Sequence, residues 1–164
     1  MELKHLITPA EITARTVVTL NASAKKLGVA IPLAQGKHLR PLLGAKLFDE
    51  LILFIQAATP DTEDALAALA NETKDLLCAW TVVEAWPTLL AHVTEAGVVV
   101  KNGKDVSTQS DYRTQQDVLA AITRTAQYYA DLFVLWIEDN KSDYPAYSPF
   151  RARTRERMPV GGLG

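Results

Sequence analysis

The residues that could perform metal, nucleophilic or acid–base chemistry are few and widely separated in this chain. The histidines are His5, His38 and His92, and the single cysteine is Cys78. No two histidines have the short spacing that places two imidazoles on one metal ion. One cysteine can form neither an intrachain disulfide nor a cysteine-rich metal cluster. The sequence therefore predicts no metal site, no cofactor and no catalytic site.

Cys78 and Glu84 lie in a segment with helical apolar periodicity. No basic group is placed to lower the pKa of the Cys78 thiol, so we expect a buried and unreactive side chain. Glu84, between Trp80 and Pro87, is expected to be half-buried with a specific polar partner. A small enzyme assembled around Glu84 and His92 ranks last among the functional hypotheses, because the sequence contains no common nucleotide-binding, nucleophile or metalloprotease motif.

The strongest candidate for binding is a segment near the end of the sequence, where prolines interrupt the helical pattern. It contains three aromatic residues within residues 144–150, and residues 150–164 hold four arginines against one acid. Aromatic residues and arginine are enriched at the energetic centres of protein interfaces. We therefore predict a helical domain over residues 1–143 and an extended basic arm over residues 144–164. The predicted docking residues are Tyr144, Tyr147, Phe150, Arg151, Arg153, Arg155 and Arg157.

Length and composition fit one globular domain with its own core. The chain has 164 residues, of which 48% are apolar and 22% charged, with a formal net charge of −2. These values are typical of soluble domains. The apolar runs, such as residues 51–55, are shorter than the roughly 20 residues that cross a bilayer, and the first residues lack a secretory signal pattern. We expect synthesis in a reducing cytoplasm and no membrane partner.

Helical periodicity predicts the elements that position these residues. Helices are predicted over residues 45–57, 63–70, 72–92 and 111–139, with a kink at Pro87 in the third. The core face of the last helix is predicted to hold Val118, Ile122, Ala126, Tyr129, Phe133 and Trp136.

The first part of the chain gives weaker helical signals. Thr8-Pro9-Ala10-Glu11 has the pattern of a helix start with a capping box. Residues 22–39 have helical spacing that Pro32 weakens. Pro41 disfavours a helix at the residue before it, and Gly44 can close a turn, so we predict a break here.

One segment has the pattern of β structure. The valines at residues 98–100 and the Val-Ser-Thr run at 106–108 flank Asn102-Gly103, and Asn-Gly is the strongest short hairpin signal. We predict a hairpin over about residues 97–108, which needs helices or a neighbouring subunit to be stable. The predicted fold is mainly α: a small helical bundle with this one β-hairpin and the extended C-terminal arm. The predicted inter-subunit contacts of the hairpin are Val99, Lys101, Asn102, Gly103 and Lys104.

An ordered pattern covers residues 31–51. Ile-Pro-Leu-Ala-Gln and then His-Leu-Arg-Pro-Leu-Leu-Gly lead into Leu-Phe-Asp-Glu-Leu at residues 47–51. Gly-Val-Val-Val-Lys-Asn-Gly then precedes a long final helix, and a stretch from Trp136 to Pro145 closes the pattern. In this order and spacing the chain resembles the head-to-tail connector (adaptor) proteins of tailed bacteriophages over most of residues 20–147.

The resemblance implies a structural virion protein and not an enzyme. Members of the connector family are small helical bundles that form a twelve-fold ring beneath the portal and link the capsid to the tail. For this chain the resemblance implies a homo-oligomeric ring, with a portal protein and a downstream neck or tail protein as partners. Genome DNA would pass through the lumen without sequence-specific contact. The expected location is the head–tail neck of the virion, after assembly in the host cytoplasm.

The alternative hypothesis is a nucleic-acid-binding or regulatory helical module that uses the arginines of residues 151–157. Four arginines can contact phosphates, and their binding would weaken steeply with salt. Against this reading, no recognition helix stands out and the rest of the chain is acidic. A disordered end remains the competing interpretation of residues 151–164.

Overall fold

The computed structural model describes residues 5–16, 23–57, 65–94, 97–100 and 112–150. The first helix, α1 (Pro9–Arg15), begins with a reciprocal capping box. The Glu11 backbone N–H donates to Thr8 Oγ1 at 3.2 Å, and the Thr8 N–H donates to Glu11 Oε2 at 2.8 Å. Both donors would otherwise lack partners at the helix start. The predicted capping box is confirmed.

A continuous helical segment follows, made of α2 (Ala24–Ala34), a π-helical turn (Gln35–Leu39) and α3 (Arg40–Leu43). The predicted break at Pro41 is therefore wrong. The missing N–H of Pro41 falls where the hydrogen-bond pattern changes. The Arg40 N–H donates to the Gln35 carbonyl five residues back, and the Gly44 N–H donates to the Arg40 carbonyl four residues back. The helix ends instead at Gly44, which has a φ of +81°.

Gly44 is required at this position for two reasons. A positive φ is unfavourable for residues with a Cβ atom, and a Cβ built on Gly44 would lie 2.0 Å from the Ser148 carbonyl oxygen. The chain then enters α4 (Ala45–Gln56) directly. The predictions of a turn at Gly44 and of a helix after it are confirmed.

Two long helices form the rest of the helical body. Residues 63–70 and 72–92 were predicted as separate helices, but α5 (Ala65–Leu90) runs without interruption through Asn71, which is exposed. The last helix, α6 (Tyr112–Asp139), lies where periodicity predicts it and is followed by a short 3₁₀ turn at Lys141–Asp143. None of the helices in the described parts of the chain combines the length and hydrophobicity of a membrane span.

The predicted hairpin is wrong in its position and pairing. Two four-residue strands, β1 (Ala91–Thr94) and β2 (Gly97–Val100), pair antiparallel, with Thr94 opposite Gly97 and Ala91 opposite Val100. The valine strand therefore pairs with the residues before it. Val93 and Thr94 are β-branched and favour extended backbone, so the helix predicted to reach residue 92 gives way to a strand. The other regular elements of the described residues are all helices, and the mainly α class is correct.

Helix α5 is the centre of the bundle and contacts α2 and α6 on different faces. Trp80, Glu84 and Thr88, at four-residue spacing, meet residues of α2 and the π turn. Ala79 and Val82 border a groove shared with α6. With 3.6 residues per turn these two sets lie on opposite sides of α5. The largest fully buried core side chains are Ile7, Ile12, Leu27, Ile31, Leu39, Leu43, Leu47, Leu51, Leu69, Leu76, Leu77 and Ile137.

Residues 144–150 pack on this helical body. The Ser148 N–H donates to the Leu43 carbonyl at 3.2 Å, and the Phe150 N–H donates to the Pro41 carbonyl at 2.9 Å. These bonds hold the segment along the end of α3. The Gly44 backbone lies directly against the segment there, next to Ser148. The prediction of an extended arm that begins at residue 144 is wrong for residues 144–150. Backbone hydrogen bonds and buried side chains attach this segment to the helices. Residues 151–164 lie outside the described parts of the chain.

Candidate functional site

The three predicted aromatic docking residues have different environments. Tyr144 is 4% exposed and belongs to the core, and its hydroxyl donates to the Ala65 carbonyl at 2.9 Å. Tyr147 is half-buried and its hydroxyl donates to Glu138 Oε1 at 3.1 Å. Burial and this carboxylate together raise the pKa of Tyr147 to about 12. Phe150, at 64% exposed, presents its ring to solvent. Docking by these residues stays a prediction, and Phe150 is the best placed of the three.

The other predicted contact residues are only partly within the described chain. Val99 lies on β2 and pairs with His92 on β1. The remaining hairpin residues and the arginine cluster lie outside the described residues, and their contacts remain predictions. These residues are Lys101, Asn102, Gly103, Lys104, Arg151, Arg153, Arg155 and Arg157.

A polar cluster joins the π turn to α5. His38 Nε2 lies 2.7 Å from Glu84 Oε1, and Lys37 Nζ donates to the same oxygen at 2.8 Å. The His38 ring stacks on Trp80 with a centroid distance of 3.8 Å and an interplanar angle of 8°. The π turn places two consecutive residues, Lys37 and His38, against one carboxylate, although adjacent positions of an α-helix point apart. The predicted polar partner of Glu84 is confirmed.

The electrostatics of Glu84 show what this cluster does. Its side chain is 11% exposed, and this burial raises the pKa. Hydrogen bonds from Lys37 and His38 and the charge of Lys37 outweigh the burial, so the pKa of Glu84 is lower than usual. An ionised carboxylate with two donors on one oxygen fastens the π turn to α5. No group of three His, Cys, Asp or Glu side chains that could bind a metal occurs within the described residues.

Cys78 also has a structural role. Its side chain is fully buried. Burial raises the pKa of the thiol to about 12, since the thiolate would lose its hydration. A protonated, buried thiol neither attacks electrophiles nor oxidises readily. The prediction of a buried cysteine is confirmed.

The most distinctive surface feature is a second apolar stripe on α6. It begins at Val118, which was predicted to face the core but is exposed. Its members recur at alternating spacings of three and four residues, which places them on one flank of the helix. Leu135, near its end, is 64% exposed. We call this surface the outer stripe, and it consists of Val118, Ala121, Thr125, Tyr128, Leu132 and Leu135.

A second apolar surface lies across the bundle. Val29 and Leu33 are exposed on α2, on the face turned away from its buried residues, and Leu53 on α4 is 66% exposed. Between α2 and α4 the chain forms a groove of about 470 Å³. We call this region the α2–α4 surface, and it consists of Val29, Pro32, Leu33, Gly36, Arg40, Phe48, Asp49, Ile52 and Leu53.

The apolar residues of the outer stripe are visible in the sequence, but a helix needs only one apolar stripe to pack against the core of its own chain. The inner stripe of α6 includes Ala126 and Phe133, which are buried as predicted, and Ile122, Tyr129 and Trp136 pack against the core. Tyr128, Leu132 and Leu135 are further large apolar or aromatic residues that lie outside this core-facing stripe. Such an excess on a long helix is the signal that could have revealed a binding surface.

Comparison with known proteins places the chain in a family without assigning it an activity. Residues 39–157 match DUF6712, a family of unknown function. The match covers most of the chain, and the chain therefore belongs to this family. No curated protein and no solved structure matches it.

Proposed function

We propose that this chain is a subunit of the head-to-tail connector of a tailed bacteriophage, which forms a ring under the portal and links capsid to tail. The main support is the pair of apolar surfaces, the outer stripe and the α2–α4 surface. In a ring of identical subunits every contact joins two unlike faces, so each copy needs two different binding surfaces. Apolar areas of this kind on a soluble domain mark sites of protein contact.

The connector-like sequence pattern gives independent support. Its Pro-Leu-Leu-Gly element corresponds to α3 and Gly44, and Leu-Phe-Asp-Glu-Leu lies in α4. One helix thus ends at a glycine with positive φ and the next begins at the following residue. This is the arrangement of two helices joined without a linker that the resemblance implies. The groove of the α2–α4 surface lies between α4 and the helical segment that precedes Pro41.

A structural role also agrees with how the reactive side chains are used. Glu84 and His38 hold the π turn on α5, and Cys78 is buried with a raised pKa. These side chains already have structural functions within the bundle. The proposed partners are further copies of the chain, a portal protein and a downstream neck or tail protein, with genome DNA passing through the lumen.

The proposal is tested by mixing the purified chain with the portal protein encoded in the same genome and imaging the complex by electron microscopy. We expect a ring of additional density on the portal, and no such density with portal protein alone. A chain that fails to bind the portal at any protein or salt concentration contradicts the proposal.

The arginine cluster supplies a second arm of the test. Changing Arg151, Arg153, Arg155 and Arg157 together to alanine should weaken attachment to the portal and leave the melting temperature unchanged. If the unaltered chain instead binds duplex DNA in a strongly salt-dependent way and the quadruple variant does not, the nucleic-acid-binding alternative replaces the connector.

A further inference from the structure

We propose that the outer stripe of α6 in one copy docks on the α2–α4 surface of a second copy. This inference deepens the proposed function and rests on it for the expectation that copies meet in a ring.

The charges around the two surfaces are complementary. Residues 23–44 contain four basic residues and no acid, whereas residues 115–139 contain four acids and one base. Complementary potentials steer association and set the register of an interface. The basic residues of 23–44 are Lys25, Lys26, Lys37 and Arg40. The charged residues of 115–139 are the acids Asp117, Asp131, Glu138 and Asp139 and the base Arg124.

Some of these charges already have partners within the chain. Lys37 pairs with Glu84, and Lys26 donates to the Thr88 carbonyl. Lys25 and Arg40 are exposed at the two ends of the outward α2–α3 face. Asp49 lines the groove with the opposite sign and balances Arg40, so Lys25 at the edge of the α2–α4 surface gives the region its positive charge.

Among the acids of α6, likewise, some have partners within the chain and others are exposed. Glu138 accepts from Tyr147 and lies 3.6 Å from Lys141. Asp117, Asp131 and Asp139 are exposed and lie beside the outer stripe or at its end. They are the acids of α6 that face an incoming basic surface.

The two surfaces also agree in length and shape. At about 1.5 Å per residue, the outer stripe from 118 to 135 spans roughly 26 Å, and the α2–α3 face from 25 to 40 spans roughly 22 Å. Tyr128, Leu132 and Leu135 project from the stripe as large exposed side chains. An apolar helix face with anchors at this spacing is the shape that enters a groove between two helices.

Contact between like faces is disfavoured by the same charges. Two outer stripes facing each other would bring two net acidic surfaces together, and two α2–α4 surfaces would bring two net basic surfaces together. Like charges across an interface suppress such pairing. Because the two faces lie on opposite sides of α5, unlike pairing repeats from copy to copy and can close into a ring.

Disulfide trapping tests the pairing directly. Two variants, Leu132→Cys and Leu33→Cys, each place a thiol on one surface, and Cys78 adds no background because it is buried. Mixed and mildly oxidised, they should give a disulfide-linked dimer on a non-reducing gel, while each variant alone should not. Ala120→Cys is the matched control, since Ala120 is exposed on the polar face of the same helix. Melting curves establish that each variant is folded.

Three results overturn the inference: linkage of Leu132→Cys with itself, equal linkage of Ala120→Cys and Leu132→Cys to Leu33→Cys, or no linkage at any protein concentration. The outcome is separable from that of the proposed function. Rings on the portal without the mixed linkage remove the inference and leave the connector. Mixed linkage in a chain that does not bind the portal leaves the inference and removes the connector.

Discussion

The inner and outer stripes of α6 have similar residues and the same spacing but different surroundings. Ala126, Phe133 and Ile137 are buried, whereas Tyr128 and Leu135 on the neighbouring flank are exposed. The inner stripe has α5 as its partner within the chain. The outer stripe borders α5 at a groove at its start and at a smaller one where Leu132 lies beside Leu76. An apolar stripe thus indicates that a helix has a packing partner. Whether that partner is the same chain or another one depends on how many helices the fold supplies.

The largest expected effect is on the inner stripe. Phe133→Ala removes a buried ring and leaves a cavity, so we expect it to lower the free energy of unfolding by about 4 kcal/mol. Its neighbour Leu132→Ala should lower it by only about 1 kcal/mol, because Leu132 is 43% exposed and packs on α5 with only part of its side chain. Urea unfolding followed by circular dichroism measures both. Equal losses for the two variants would show that the outer stripe belongs to the core.

The next effect concerns the segment that packs over Gly44. Gly44→Ala forces a Cβ against the Ser148 carbonyl at a positive φ, and we expect a loss of about 3 kcal/mol. Gly28→Ala is the matched control, because a Cβ there meets nothing within 4 Å. Within α2 it should stabilise the chain by about 0.5 kcal/mol. A harmless Gly44→Ala would mean that residues 144–150 do not lie against this turn.

A smaller effect is expected where Glu84 fastens the π turn to α5. Glu84→Gln keeps the shape but removes the charge, and we expect a loss of about 2 kcal/mol at neutral pH. The folded state lowers the pKa of Glu84, so its contribution is present above the unfolded pKa and is lost as pH falls through the folded one. The stability difference between the two proteins should therefore shrink in acid. A difference that stays constant from pH 7 to pH 3 would contradict this account of the cluster.

The smallest effects on stability and the clearest effects on assembly are expected from surface charges. Lys25→Glu/Arg40→Glu makes the α2–α4 surface acidic, and Asp131→Lys/Asp139→Lys makes the outer stripe basic. Each double variant alone should fail to assemble, because like charges then meet. Mixed in equal amounts they should assemble, since every contact again joins opposite charges. Light scattering distinguishes these cases, and assembly of either variant alone would argue against the charge pairing.

Sequence patterns predict the local elements well because their causes are local. The Thr8–Glu11 capping box, the Gly44 turn and the helices α4 and α6 depend on residues a few positions apart. The hairpin prediction is wrong because Asn102-Gly103 is a strong local signal in competition with β-branched residues before Gly97, and pattern alone does not rank the two pairings.

Contacts between residues far apart in the sequence could not be predicted from local patterns. Tyr144 lies in a segment interrupted by prolines, and its hydroxyl bonds to the Ala65 carbonyl, 79 residues earlier in the chain. Glu84 was expected to have a polar partner, but its identity as His38 and Lys37 depends on the π turn. The outer stripe is visible in the sequence, but only the placement of α5 shows which flank of α6 the core leaves uncovered.

The central claim is that the outer stripe binds another copy of the chain and does not stabilise its own fold. Sedimentation velocity of the wild-type chain and of Tyr128→Asp/Leu135→Asp, over a series of concentrations, tests this most directly. We predict concentration-dependent assembly of the wild-type chain, and a double variant that remains a monomer with an unchanged melting temperature. A double variant that assembles like the wild type, or one that unfolds, would contradict the claim.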